Sequence, residues 1–313
     1  MFLTHRAATS KDFAQAHEAL RPWYAGLPEM PSKAVWAELL GRESVWSLVI
    51  EDADAESRPL SLSLFAFVSD RLADRVESAQ CPGIGTSLIE RFLSRGDEPL
   101  SLERVRAAHF GEGLNLLSLH TVGLDVPLGD ASTGIVGELR AYLSFQAARG
   151  YRIKRCLREV YGPQAMASFL AGGWRLRSDY ADYFGSSVPT PSLERPFLLG
   201  LNRDEAEPKE AGGAKMAAMF HMYPIRLELR RVHRELLTAA LEGLTDLELS
   251  QRLSVSPSAV KKRWASIYEH VEGKVPGMPP STLRTDQTRG LERRRHVLNY
   301  LRAHPEEFRP LYD

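Results

Sequence analysis

At 313 residues the chain is about twice the length of a typical single domain, so two folded units are expected. It is 43% hydrophobic and 26% charged, which excludes a disordered chain, and its two cysteines, Cys81 and Cys156, exclude a disulfide framework or a thiolate-rich metal site. Forty basic residues balance forty acidic ones, yet between Lys215 and Asp313 there are 17 Lys and Arg against 12 Asp and Glu, a surplus of +5 that the preceding residues offset. No apolar run approaches the roughly 20 residues of a membrane span, and the quickly charged start from Met1 to Arg6 lacks a signal-peptide pattern. The expectation is a soluble, cytoplasmic protein with no membrane partner.

In chain order, helical spacing occupies Asp12–Leu20 and Ser32–Gly41, and apolar alternation predicts strands at Val45–Glu51 and Leu60–Val68. A helix is predicted at Thr86–Leu93, a strand at Leu114–Val122, a helix at Gly137–Ala148, a strand at Ile153–Tyr161, a helix at Pro163–Leu170 and a strand at Trp174–Tyr183. Two alternating periods of this kind predict an α/β domain over residues 1–185, read as a sensing or dimerisation domain. Residues 186–214, with Pro189, Pro191, Pro196 and Pro208 among glutamates and glycines, read as a linker. From 215 to 313 the strand signal stops. Leu229, Val232, Leu236 and Ala240 follow helical spacing, and helices are predicted through Leu301.

Within that all-α part, residues 235–268 carry a chain of local signals. Gly243 is suited to end one helix, Thr245 to cap the next, and Glu248 to complete a capping box. Ser256 is placed to cap a third helix with Pro257 at its first position, and Ser250 is small enough for two helices to cross. Val260, Trp264, Ile267 and Val271 point inward by spacing, which predicts helix-turn-helix architecture. Ser256, Ser258, Ala259, Lys261, Lys262, Arg263 and Ser266 then face outward as candidate contacts to double-stranded DNA, the alternative being a solvated basic face. Arg293, Arg294 and Arg295 on the extension either grip flanking phosphates or pack on the domain surface.

Glu235-Leu236-Leu237, Gly243-Leu244-Thr245, Glu248-Leu249-Ser250, Leu253 and Val260-Lys261 resemble the C-terminal domain of LuxR/GerE-type transcription factors. The resemblance spans about forty residues and implies a DNA-binding domain, with Ala259, Arg263 and Trp264 departing from the family's usual residues. It makes the leading expectation a sequence-specific transcription regulator that is not an enzyme, has no cofactor, binds duplex DNA as a homodimer and answers to a small-molecule effector. In the first domain, Gln80-Cys81-Pro82-Gly83-Ile84-Gly85-Thr86 is a glycine-rich turn entering a helix, where backbone N–H groups can hold a pyrophosphate. Gln80, Gly83 and Gly85 resemble the coenzyme-A loop of GNAT acetyltransferases, which implies an acyl-CoA site and the alternative function of an acyltransferase. A second register places that fold's central helix at Gly137–Ala148 and reduces Gly83 and Gly85 to a surface turn. No catalytic residue and no metal ligand is proposed: His109 and His120 lack partners at ligand spacing, Glu159 and Tyr161 share a strand face, and Trp174 and Tyr180 read as core or edge aromatics.

Overall fold

A computed structural model of the chain describes residues 2–9, 12, 33–54, 58–123, 132–180, 183, 195–206, 218–278 and 286–312. They form two compact units, one of residues 1–145 and 152–221 and one of residues 146–151 and 222–313. Beyond Asp12, the helix expected at Asp12–Leu20 lies outside the described residues. None of the described helices is long and apolar enough to cross a membrane.

The first unit is built on one mixed sheet of seven strands: β1 (Leu3–Arg6), β2 (Val45–Asp52), β3 (Arg58–Val68), β4 (Leu114–Gly123), β5 (Ile153–Tyr161), β6 (Arg175–Ser178) and β7 (Pro196–Asn202). Their spatial order is β1-β2-β3-β4-β5-β7-β6. Every neighbouring pair is antiparallel except β4 and β5, which run parallel. The helices are α1 (Lys33–Leu40), α2 (Asp70–Glu77), α3 (Ile84–Arg95), α4 (Leu102–Phe110), α5 (Ser132–Ala148) and α6 (Pro163–Ala171). Helix α5 makes the long crossover that a parallel pair requires.

Period-two alternation sorts the two sheet faces. Leu62, Leu64, Ala66 and Val68 join Val49, Leu117, Leu157 and Leu198 in a core shared with Trp36 and Leu39 of α1, Leu72 and Val76 of α2, and Leu88 and Phe92 of α3. Each such buried side chain contributes roughly 1.5–3 kcal/mol by leaving water. On the other face Leu48, Ile50 and Leu60 pack against Val136 of α5, with Leu139 and Leu143 beside it. Leu60 reaches that face because the register shifts there: Ile50 pairs with Ser61 and Glu51 with Pro59, leaving Leu60 as the extra residue of a bulge.

Several expectations need correction. Residues 196–202, read as linker, form β7, and the run Phe197-Leu198-Leu199-Gly200-Leu201 is buried between β5 and β6. Proline tolerance at the first residue of a strand allows Pro196 to begin it. The strand expected at Trp174–Tyr183 is confined to Arg175–Ser178. Helix α2 was not anticipated because its formal charges mask a buried stripe of Leu72, Ala73 and Val76. Ser69 caps it, and ion pairs bind it to the sheet: Arg155 meets Asp74 at 2.7 Å and Glu77 at 2.8 Å, and Arg177 meets Glu77 at 3.0 Å.

The second unit is helical among its described residues: α7 (Arg231–Leu241), α8 (Asp246–Arg252), α9 (Pro257–Lys274) and α10 (Asp286–Ala303). Thr245 and Glu248 complete a capping box at α8, and the Ser256 hydroxyl accepts from the Ala259 N–H at 3.2 Å at the start of α9. Gly243 has φ 87°, the left-handed conformation that glycine adopts without steric cost. Val260, Trp264, Ile267 and Val271 are buried with Leu236, Leu237, Leu249, Val297, Leu298 and Leu301. Val232, expected inside, is 43% exposed. The spacing was counted from Leu229, which lies before α7 begins at Arg231, so the two residues do not share a helical face.

Candidate active site

The feature of the first unit that differs from an ordinary sheet is the parallel pair. Residue pairing between β4 and β5 runs from Leu114 and Ile153 to Ser118 and Arg158 and stops there. Beyond that point β4 continues to Gly123 on the β3 side, and β5 continues to Tyr161 on the β7 side. The register between β3 and β4 shifts at the same level: Phe65 pairs with Ser118 and Leu64 with His120, so Leu119 is an extra residue in β4. A bulge bends its strand and leaves main-chain groups outside the ladder. The two strands therefore part at their carboxyl ends, the place in an α/β sheet where ligands bind, and present facing edges with no ladder pairing among the described residues.

Glu159 lies in the diverging part of β5. Its carboxylate accepts from the Gly83 N–H at 2.6 Å, the Ile84 N–H at 3.1 Å and the Tyr180 hydroxyl at 3.0 Å. Burial pushes its carboxyl above the ordinary range, against the pull of those three donors, while burial and the neighbouring carboxylate raise the Tyr180 phenol. Gly83 has φ 119°, which an L side chain rarely adopts. The start of α3 is thus a helix N-terminus whose anion is supplied by the protein itself. In the turn entering α3 the Gly83 N–H is committed to Glu159, and Gln80 is exposed. The crossover after β4 is α5, and residues 124–131 between β4 and α5 lie outside the described residues.

Two guanidiniums lie on the α5 face of the sheet. Arg140 of α5 donates to the Ser61 hydroxyl at 3.4 Å, and Arg158 is the last β5 residue paired with β4. The Arg158 guanidinium lies 3.9 Å from the ring centroid of Phe169 and 5.4 Å from that of Trp174. Burial lowers both groups, and burial together with the Arg140 charge takes Arg158 down to about 9, still cationic at neutral pH. Sequence reading missed both residues. Arg158 sits among charges on both strand faces, and the usable signal was its place in step with buried Cys156 and Val160.

The other candidates are structural. His109 is buried, with Nδ1 accepting from the Arg152 N–H at 3.0 Å, while the His120 side chain lies outside the described residues. Burial pushes the Cys156 thiol up to about 12, leaving it protonated near neutrality. Among the described residues no group of three or more His, Cys, Asp or Glu could hold a metal ion. In the second unit Ser256, Ser258, Lys261, Lys262 and Ser266 are exposed, Ala259 and Arg263 half-buried. Arg293 and Arg294 instead serve the unit's own packing: Arg293 pairs with Glu272 at 3.2 Å over the Tyr268 ring, and Arg294 pairs with Asp246 at 2.9 Å over the Trp264 ring.

No protein-family model matches the chain, and no curated protein matches its sequence. Solved structures similar to it include FeeM, an N-acyl amino acid synthase from uncultured soil microbes, at 8% identity, 64% of this chain, 90% of that one and TM-score 0.36. The spermidine/spermine N-acetyltransferase SpeG from Vibrio cholerae matches at 11% identity, 65% of this chain, 95% of that one and TM-score 0.38. NAA60 from Arabidopsis thaliana, solved with acetyl-CoA, matches at 10% identity, 65% of this chain, 99% of that one and TM-score 0.37. Each of these matches covers about 65% of the chain. These matches correct the leading expectation from the sequence. A LuxR-type, DNA-binding transcription regulator without enzymatic activity is not what they support, and the associated partners, duplex DNA, an effector and a second copy of the chain, are withdrawn with it.

Proposed function

We propose that the first unit is an acyltransferase that moves an acyl group from a thioester such as acyl-CoA to an acceptor amine. The observation that carries this reading is the parting of β4 and β5 after Ser118 and Arg158, with Leu119 bulged at that level. The facing strand edges suit an extended donor arm that carries amide groups, because such an arm can take up the main-chain hydrogen bonds that the two strands do not make with each other. Main-chain groups released from the ladder at Leu119 are available to a thioester carbonyl, where donors would stabilise the negative charge that develops on attack. In the reaction the acceptor nitrogen bonds to the carbonyl carbon, the carbon–sulfur bond breaks, and the thiolate leaves and takes up the proton lost by the amine. Gln80, Gly83 and Gly85 have no part in holding the donor in this reading, since Glu159 occupies the Gly83 N–H.

The test is release of thiol. The full chain is incubated with acetyl-CoA or a longer acyl-CoA, with and without a panel of primary amines, and free thiol is titrated. Acceptor-dependent thiol release is expected, and its absence with every donor and acceptor contradicts the reading.

A further inference from the structure

Residues 146–151 join α5 to β5 yet belong to the second unit, where the end of the chain closes on them. Two helix C-termini are capped there, each by an arginine from the other segment. Arg309 donates from Nε to the Arg149 carbonyl at 2.8 Å and from Nη2 to the Gln146 carbonyl at 2.8 Å, where α5 ends at Ala148. Arg149 in turn donates from Nη1 at 3.2 Å to the carbonyl of Ala303, the last residue of α10. The last carbonyls of a helix lack partners within it and form the negative end of its dipole, so a guanidinium supplies the donors and matches the charge. Glu306, buried in the short 3-10 helix Pro305–Phe308, accepts from Arg149 Nη2 at 2.9 Å, and the Arg149 and Arg309 guanidiniums lie 4.2 and 5.3 Å from the ring centroids of Tyr223 and Tyr151. Buried Glu307 fastens the same turn by accepting from the Arg226 and Leu227 N–H groups at 3.1 and 2.8 Å. Gly150 has φ 84°, and a Cβ there would stand 2.7 Å from that of Glu306, so glycine alone lets the two segments come this close.

We propose that this double cap is a clasp by which the C-terminal residues 303–309 sustain acyl transfer: closed, it pins the end of α5 and the start of β5, and open, it loosens the parallel pair. Both elements joined by residues 146–151 build the donor site, since α5 is the crossover between β4 and β5 and β5 is in register with β4 from Ile153 to Arg158. An opened connection samples many conformations, and a donor that needs the closed one binds in proportion to the closed fraction. The second unit is thereby given a role in the chemistry of the first. The proposal rests on the acyl-transfer reading for its effect on the donor, whereas the hold on the parallel pair is tested without one.

Amide hydrogen exchange of the full chain is measured first without donor, for the natural protein and for Arg309→Met, which keeps an apolar stem and removes both hydrogen bonds to the end of α5. Exchange in residues 146–158 should quicken about tenfold or more, the scale of hydrogen bonds from a charged donor, while residues 260–271 in the core of the second unit keep their rates. Arg309→Lys should recover part of the protection. Unchanged exchange in residues 146–158 overturns the proposal, and so does equal quickening at 260–271, which would make Arg309 a support of the whole unit. The natural protein gives a second measurement that needs no variant. Coupling between two sites is reciprocal, so saturating acetyl-CoA should slow exchange in residues 146–151 and 303–309. Unchanged rates there, with the donor shown bound by protection elsewhere in the chain, overturn the control of the donor site. If no thiol is released and no donor binds, yet Arg309→Met quickens exchange in residues 152–158, the acyl-transfer reading fails and the clasp on the parallel pair stands.

Discussion

Glu159 shows how one side chain can take over a site that the sequence pattern offers to a ligand. A glycine turn entering a helix is a generic anion site, and from sequence alone nothing says whether the anion is foreign or supplied by a strand 75 residues later. Glu159→Gln should therefore act on stability more than on ligand affinity. Its amide nitrogen would face an N–H donor at Gly83 or Ile84, with an expected loss of about 1–3 kcal/mol in denaturant unfolding. Tyr180→Phe, which removes one of the three donors, should cost about 1 kcal/mol. A Glu159→Gln protein of unaltered stability with weakened acyl-CoA binding would reinstate the glycine turn as the donor site. In the second unit, His233 is buried beside His270, at 5.6 Å between ring centroids, with Arg230 and Arg263 adding positive charge around it and Nε2 at 3.2 Å from the Ser266 hydroxyl. Burial and those cations lower its pKa from 6.5 to about 4, so the unfolded chain binds a proton in that interval that the folded chain does not. Stability from this group is complete above about 6.5 and declines as the pH falls toward 4. Unfolding midpoints measured from about pH 7 down to 4.5 should fall for the natural protein and fall less for His233→Gln; identical slopes contradict the assignment.

At the scale of elements, what the sequence made legible was local chemistry. The hydroxyl caps Thr245 and Ser256, Pro257 at a helix start and the four-three-four spacing of Val260, Trp264, Ile267 and Val271 are each set by residues within one or two turns, and all recur in the structure. Thr245→Ala should accordingly cost about 0.5–2 kcal/mol through loss of the cap. Trp264→Ala should cost roughly 3–5 kcal/mol in thermal or denaturant unfolding, since it empties a core position beneath the Arg294 guanidinium, and unchanged stability would refute that burial. Elements defined by distant partners were less legible. The polar surface of α2 is neutralised by Arg155 and Arg177, which arrive from β5 and β6, and β7 is a strand because β5 and β6 flank it, whereas its surroundings in sequence are proline-rich. The parting of β4 and β5 could not be read at all, because both strands have continuous alternation and only their mutual register reveals where pairing ends. Arg140 was passed over for a related reason: its helix has apolar residues on one face, and its contact with the Ser61 hydroxyl of β3 exists only in the folded chain.

For the whole molecule, the signal read best from sequence, the capped helices of residues 235–268, lies in the second unit, while the geometry that suits chemistry lies in the first. A function taken from the more legible unit therefore pointed away from the open parallel pair. The account stands or falls on whether a thioester donor occupies the edges of β4 and β5, and the direct measurement is amide hydrogen exchange of the full chain with and without a saturating acyl-CoA. Edge N–H groups that take up hydrogen bonds to the donor become protected. The account predicts new protection in residues 119–123 and 159–161 and no change at Gly83 and Ile84, whose N–H groups Glu159 already holds. Protection confined to residues 83–86, or none in either strand at saturating donor, would contradict it.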